Sequence, residues 1–143
     1  MELPTRDELI ARLTEFHDRL DAAEREGRLL EAFRRSPPGV GVHEIDADRV
    51  LRRVSPEELR ILGYDEADMV GRPVTEFIVM QEASQRAIDQ KLKGTRELKP
   101  FLRTFRRKDG TAVPMMLLDR LIKDHRGDVV GIRTAMTEAR FRE

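Results

Sequence analysis

The sequence predicts an α+β domain: a long amphipathic helix followed by five strands with short helices between them. Up to residue 35, apolar residues recur at helical spacing, and from Val40 onward they alternate at the period of strands. Turn and cap signals then divide the chain at short intervals, as in GYDEADMVGRP at 63–73 and RRKDGT at 106–111. These signals are typical of a small mixed domain with tight hairpins.

Composition excludes several classes of protein. The chain has 143 residues, and its 27 basic and 27 acidic side chains cancel, so bulk charge does not favour nucleic acid as a partner. It has no cysteine, which excludes disulfides, thiolate nucleophiles and cysteine-bound zinc. No apolar stretch approaches the ~18–20 residues that span a bilayer, and the N-terminus is charged. A cytoplasmic protein without direct membrane contact is expected.

The first segment predicts one long helix over residues 5–34. Thr5 and Glu8 form a capping-box pattern at its start, and Ser36-Pro37-Pro38-Gly39 ends it. A seven-residue repeat of apolar positions runs through Leu9, Leu13, Phe16, Leu20, Ala23 and Leu30. This seam favours a coiled coil and a parallel homodimer. The alternative is a helix that folds back on its own sheet, because Ala23 and Gly27 weaken the seam.

The middle of the chain predicts a hairpin and three helices. Strands flank the Asp46-Ala47-Asp48 turn, and Ser55 caps a helix that Glu58 completes as a capping box and Gly63 ends. A short helix begins at 65–68. The longest internal helix covers 81–93, and its inward positions are Ala83, Ala87, Ile88 and Leu92.

Three strands close the domain, at about 98–107, 111–123 and 128–137. The middle one is apolar on both faces: Val113, Met115, Leu117 and Leu121 alternate with Met116, Leu118 and Ile122. Both faces therefore need cover. Internal helices can cover one face, which leaves Met116, Leu118 and Ile122 for the N-terminal helix or a second copy of the chain. Asp119 interrupts the first stripe and is expected to be solvated or paired.

Five segments resemble successive landmarks of a PAS domain. They are SPPGVGVHEID (36–46), SPEELRILGY (55–64), MVGRPVTEFI (69–78), RRKDGTAVPM (106–115) and DHRGDVVGI (124–132). The resemblance implies a five-stranded antiparallel sheet with short helices on one face. It divides the chain into an N-terminal helix (1–35), a PAS domain (36–138) and the start of an output linker (139–143). Two positions depart from the family's pattern: Ser55 stands in place of Asn, and Ala135 in place of Asp.

The resemblance implies a sensory and protein-interaction module in signal transduction, not an enzyme. Such a module binds a small apolar ligand or a partner and passes a conformational change to flanking helices. The resemblance implies an effector domain or a partner protein, and leaves open whether a histidine kinase, a diguanylate cyclase, a transcription regulator or no effector follows. The predicted ligand pocket is bounded by Ile61, Met69, Phe77, Ile78, Ile88, Leu92, Phe105, Met115, Leu117 and Ile132. These apolar residues also suit a plain core.

Cofactor chemistry is not expected, although alternatives stay open. Segment 109–117 is similar to haem-binding PAS domains, but those use a histidine that 79–97 lacks. A chromophore attached to cysteine is excluded. A non-covalent flavin is a second alternative, although the chain has no Trp or Asn to line its site. His17, His43 and His125 lack metal-ligand spacing and are expected to be structural or exposed.

The last alternative is a small enzyme that uses a buried carboxylate as its acid or base. The candidate carboxylates are Glu76, Asp89 and Asp119. The sequence shows no partner group beside any of them.

Overall fold

The computed structural model describes residues 2–143 of the protein. The helices are α1 (Arg6–Arg25), α2 (Leu29–Arg34), α3 (Pro56–Leu62), α4 (Glu66–Met69) and α5 (Gln81–Leu92), with a 3-10 turn at Val74–Phe77 before α5. The strands are β1 (Val40–Asp46), β2 (Leu51–Val54), β3 (Phe101–Arg106), β4 (Ala112–Lys123) and β5 (Val129–Glu138). The five strands confirm the predicted sheet.

The sheet is antiparallel throughout, in the order β2-β1-β5-β4-β3. The first and last strands in sequence therefore lie side by side at its centre. Helices α3, α4 and α5 cover one face, called here the inner face, and α1 and α2 cover the other, called the outer face. This arrangement confirms the fold class, with an additional N-terminal helix.

Two apolar cores lie on opposite faces of the sheet. Successive side chains of a strand point to opposite faces. Met115 therefore belongs to the inner core and Met116 to the outer core, and both are 0% exposed. The outer core joins Met116 to Leu13, Phe16 and Leu20 of α1. The apolar pattern on both faces of β4 thus correctly predicted that both faces are covered.

Helix α3 begins and ends as its sequence predicts. The Ser55 hydroxyl accepts a hydrogen bond from the Glu58 N–H at 3.2 Å, and Gly63 ends the helix at a φ of 82°. Ser55 also accepts from the buried Val42 N–H at 3.0 Å. The capping box predicted for Glu58 is wrong, because its carboxylate turns instead to His43, at 2.8 Å from Nδ1.

The N-terminal helix is shorter than predicted. Instead of continuing to residue 34, it ends at Arg25, and Gly27 has a φ of 73°. The Gly27 N–H donates to Glu24 O at 3.1 Å and the Arg28 N–H to Ala23 O at 2.7 Å, the pattern of a Schellman motif. Gly27 therefore ends α1, and a separate helix, α2, begins at Leu29.

We predict that Ser55→Ala destabilises the fold more than Thr5→Ala, although both remove a helix N-cap. Thr5 caps an exposed helix end, so its loss should cost about 1 kcal/mol. Loss of the Ser55 hydroxyl leaves the buried Val42 N–H without its partner as well, for a total of about 2–3 kcal/mol. Urea unfolding of the two variants measures the difference. Equal losses would contradict the double role of Ser55.

Candidate functional site

The ten residues predicted to line a ligand pocket come together on the inner face. Eight are buried in one cluster: Met69, Phe77, Ile78, Ile88, Phe105, Met115, Leu117 and Ile132. Ile61 and Leu92 are half-buried and pack at the edge of this cluster. Their side chains contact one another as a packed core, which apolar residues form without a ligand. A ligand among them stays a prediction.

A polar cluster lies on the same face, where α5 crosses β4 and β5. The Lys91 Nζ is 2.7 Å from the Asp119 carboxylate, and both side chains are buried. The Thr134 hydroxyl donates to the other Asp119 oxygen at 2.6 Å. Burial lowers the pKa of Lys91, while the charge of Asp119 opposes that shift. We call Lys91, Asp119 and Thr134 the inner cluster.

Asp119 is paired, one of the two states that the sequence predicted, but the identity of its partner was missed. The inward face of α5 was predicted in part: Ala87 and Ile88 are buried and Leu92 is half-buried, as predicted, but Ala83 is exposed. Ser84 and Lys91, which are also buried, were missed. Lys91 follows Ala87 by four residues and Ile88 by three, so helical spacing puts it on the buried face. That spacing is the signal by which Lys91 is detectable in the sequence.

A groove of about 480 Å³ runs between α5 and β3, beside the inner cluster. Its residues are Met80, Ala83, Ser84, Ala87, Lys91, Arg96, Glu97, Lys99 and the segment 100–104. Arg103 stands over the Phe101 ring at 4.7 Å from its centroid, and Lys91 lies 3.5 Å from the same centroid. Burial lowers the pKa of Arg103, partly offset by Asp119. Within residues 2–143, no carboxylate forms an ion pair with Arg103.

A second polar cluster ties α1 to the outer face of the sheet. The Arg133 guanidinium donates to Asp21 at 2.6 Å and to Nδ1 of His17 at 3.2 Å. Arg120 donates to Asp21 at 2.5 Å and to Asp18 at 2.8 Å. Burial alone would raise the pKa of Asp21, but its bonds to Arg133 and Arg120 outweigh burial and lower it. We call these five residues the outer cluster.

His17 is held neutral in the outer cluster. Its Nδ1 accepts from Arg133, so the ring proton lies on Nε2, which donates to the Leu118 carbonyl at 2.8 Å. Burial lowers the pKa of His17 to about 4; the bond to Leu118 opposes this shift and the charge of Arg133 adds to it. His17 is therefore structural, as expected.

The two clusters are neighbours in strand register. Asp119 on β4 is paired with Thr134 on β5, and the next pair along the ladder is Arg120 with Arg133. The first pair faces α5 and the second faces α1, because adjacent residues point to opposite faces. The two clusters therefore lie on consecutive rungs of one ladder. Sequence spacing alone did not reveal this connection, since it depends on the register of β4 with β5.

The residues proposed for a dimer seam, except Leu30, are covered within one chain. Leu9, Leu13, Phe16, Leu20, Ala23 and Met116 are buried, Leu118 and Ile122 are half-buried, and Leu30 is 47% exposed. Helix α1 thus folds back on its own sheet, which is the alternative that the sequence left open. A dimer through this seam would require α1 to leave the sheet. Homodimer formation itself stays a prediction.

The remaining candidate residues do not assemble into a catalytic site. Glu76 pairs with Arg72 on the surface, and Asp89 pairs with Arg49 at 2.7 Å. His125 is exposed. Within residues 2–143, no group of three or more metal-binding side chains is arranged to hold a metal ion. The same residues contain no helix with the length and apolarity needed to cross a bilayer.

Comparison with known proteins identifies the class. The family model described as PAS domain matches residues 37–139 of the sequence. The chain therefore belongs to the PAS domain family, a class of sensory and signalling modules. No curated protein matches the chain by sequence.

Solved structures share the fold. The PAS domain of an HTR-like protein from Haloarcula marismortui is 24% identical with a TM-score of 0.65, over 87% of this chain and 98% of that chain. A PAS domain from Colwellia psychrerythraea is 14% identical with a TM-score of 0.67, over 76% and 92%. An RNA-binding light-oxygen-voltage receptor is 19% identical with a TM-score of 0.65, over 79% of this chain and 33% of that chain. At these identities the likeness shows the fold alone.

We predict that His17 makes the stability of the fold depend on pH. Its pKa of about 4 in the folded protein lies below the ordinary value of 6.5, so the unfolded chain binds the proton more readily. The free energy of unfolding should therefore decrease as pH falls from 6.5 toward 4, by up to about 3 kcal/mol. Urea unfolding at several pH values measures this decrease.

His17→Gln should abolish most of this decrease, because an amide can donate to the Leu118 carbonyl without titrating. His125→Gln is the control at an exposed histidine and should retain the decrease. If both variants show the pH dependence of the wild type, His17 is not its source.

Proposed function

We propose that this PAS domain senses a small ligand or partner on its inner face and signals through the docking of α1 on its outer face. The observation that supports the proposal is the register of the two clusters. The inner pair, Asp119 with Thr134, and the outer pair, Arg120 with Arg133, are consecutive rungs of one ladder. A change in the inner cluster therefore acts on the residues that hold α1.

The charges of the inner cluster make its arrangement sensitive to a bound ligand. Asp119 is buried and has two partners, Lys91 and Thr134. A buried carboxylate that loses one partner is strongly destabilised, so a ligand that attracts Lys91 would force the Asp119 and Thr134 side chains to rearrange. Such a local rearrangement alters packed elements in discrete steps, because cores resist continuous deformation.

The outer cluster suits a reversible contact. Helix α1 is held by apolar side chains and by Asp21, which bridges Arg120 on β4 and Arg133 on β5. A shift of either strand changes the distance to Asp21 and so weakens the hold on α1. Release of α1 would expose the outer core around Met116 to a partner. Protein interaction is therefore part of the proposed function.

The proposal assigns no catalysis and no cofactor. Asp89, Glu76 and Asp119 each form an ion pair with a basic side chain, with Arg49, Arg72 and Lys91 respectively. The effector, a role in transcription or a two-component system, and a cytoplasmic location stay predictions. Light scattering on the full chain would test the homodimer.

We predict that Thr134→Val loosens α1, although Thr134 does not face it. The substitution preserves shape but removes the hydrogen bond to Asp119, leaving a buried carboxylate oxygen without that partner. Amide hydrogen exchange in the second half of α1, residues 16–25, should accelerate at least about five-fold. Asp21→Asn, which weakens the outer cluster directly, should accelerate exchange in the same segment.

Thr137→Val is the matched control, because Thr137 lies on the same strand and donates a hydrogen bond to Gly39 outside both clusters. It should leave exchange in residues 16–25 unchanged. If Thr134→Val also leaves that exchange unchanged while Asp21→Asn accelerates it, the inner cluster does not act on α1.

A further inference from the structure

We propose that the groove between α5 and β3 binds a small organic carboxylate with an apolar body, and that Arg103 is its anchor. This inference names the class of ligand, and it rests on the proposed function only for the consequence that binding has at α1. The groove is distinct from the packed apolar core, since none of the buried residues of that core lines it and its walls come from α5 and from 100–104. Its volume of about 480 Å³ suits a small molecule.

The charges of the groove favour an anion. Four basic side chains line it, Lys91, Arg96, Lys99 and Arg103, against one acidic side chain, Glu97. Glu97 pairs with Lys99 on the surface at 3.5 Å and Lys91 pairs with Asp119, which leaves Arg96 and Arg103 without an acidic partner in the described residues. Arg96 donates to the neutral Gln90 amide oxygen at 3.0 Å. The groove therefore presents net positive charge.

Arg103 is the strongest of these candidates for an anchor. It lies on the same face of β3 as Phe101 and Phe105, so its guanidinium points toward the inner cluster rather than into open solvent. Asp119 is already bound by Lys91 and Thr134, which leaves Arg103 without an ion-pair partner in the described chain. Stacking on Phe101 holds its planar guanidinium in place. A held, half-buried and unpaired guanidinium is prepared to bind a carboxylate through two parallel hydrogen bonds.

The other walls of the groove favour an apolar group on the ligand, next to its carboxylate. Ala83, Ala87, Pro100 and Phe101 provide apolar walls. At the rim, the Met80 side chain is 66% exposed. A ligand with an aromatic or aliphatic body would cover these surfaces while its carboxylate meets Arg103.

Inorganic phosphate fits this groove less well than a carboxylate. A phosphate dianion needs several donors, and protein phosphate sites commonly supply backbone N–H groups at glycine-rich loops. Here Lys91 is engaged by Asp119, so one free guanidinium and the peripheral Arg96 remain. That donor set matches a single negative charge.

Titration of the protein with benzoate, followed by NMR chemical shifts of backbone amides, tests the proposal. Benzamide has the same shape without the charge and is the matched ligand control; inorganic phosphate tests for a general anion. We expect saturable benzoate binding, with shifts concentrated in α5 and 100–104, at least ten-fold tighter than benzamide. Absence of saturation up to about 10 mM benzoate, or equal binding of benzamide, would overturn the proposal. Tighter binding of phosphate than of benzoate would overturn the assignment to a carboxylate.

Three variants test whether Arg103 is the anchor. Arg103→Gln should weaken benzoate binding at least ten-fold. Arg106→Gln removes an exposed arginine from the same strand outside the groove, and should leave binding unchanged. Arg103→Lys retains the positive charge but lacks the planar guanidinium, so its affinity for benzoate should lie between those of Arg103→Gln and Arg106→Gln. Far-ultraviolet circular dichroism of each variant verifies the fold, and unchanged binding by folded Arg103→Gln would contradict the role of Arg103.

Hydrogen exchange in residues 16–25, measured with and without benzoate, separates this inference from the proposed function. Binding with unchanged exchange contradicts signalling through α1 but leaves the carboxylate site standing. Faster exchange in Thr134→Val, together with no benzoate binding, supports the signalling route and contradicts the carboxylate site.

Discussion

Strand β4 is apolar on both faces, and the rest of the structure depends on covering both. Met115 and Leu117 require the internal helices on one face, and Met116 requires α1 on the other. Loss of either cover would expose buried apolar area, at a cost of roughly 25 cal/mol for each Å². Helix α1 is therefore an integral layer of the domain, although it precedes the residues that match the PAS family model. Because one sheet contacts helices on both faces, a change on one face can reach the helix on the other.

Within these packed layers, the two polar clusters join specific residues of the sheet to α5 and to α1. Asp119 and Arg120 are consecutive residues, yet one contacts Lys91 beneath α5 and the other contacts Asp21 on α1. Their partners on β5, Thr134 and Arg133, are consecutive as well. Lys91, Asp119 and Arg133 are buried charges, which are costly unless they are paired. The groove with Arg103 opens next to the inner cluster, so a bound anion would lie close to the Lys91–Asp119 pair.

The local and periodic features of the fold were predictable from sequence, whereas the long-range pairings were not. Ser55 and Gly63 frame a helix through contacts within a few residues, and alternation along β4 correctly indicated two cores. The stop at Gly27 was missed because the apolar repeat continues through it, although a glycine can adopt the positive φ that ends a helix. The pairs Lys91–Asp119 and Arg133–Asp21 join residues far apart in the chain, so only strand register and helix rotation bring them together. Arg103 could not be singled out from the sequence, because its place beside the groove depends on where α5 packs against β3.

The central claim is that the inner and outer clusters are energetically coupled through β4 and β5. A double-mutant cycle on Thr134→Val and Asp21→Asn, measured as free energies of unfolding in urea, tests it most directly. The two side chains are not bonded to each other, so independent sites would give additive losses within about 0.3–0.5 kcal/mol. The account predicts a coupling energy clearly above that range, on the order of 1 kcal/mol, because each substitution disturbs neighbouring rungs of the same ladder. Additive losses would show that the two faces of the sheet respond independently, and would contradict signalling from the inner face to α1.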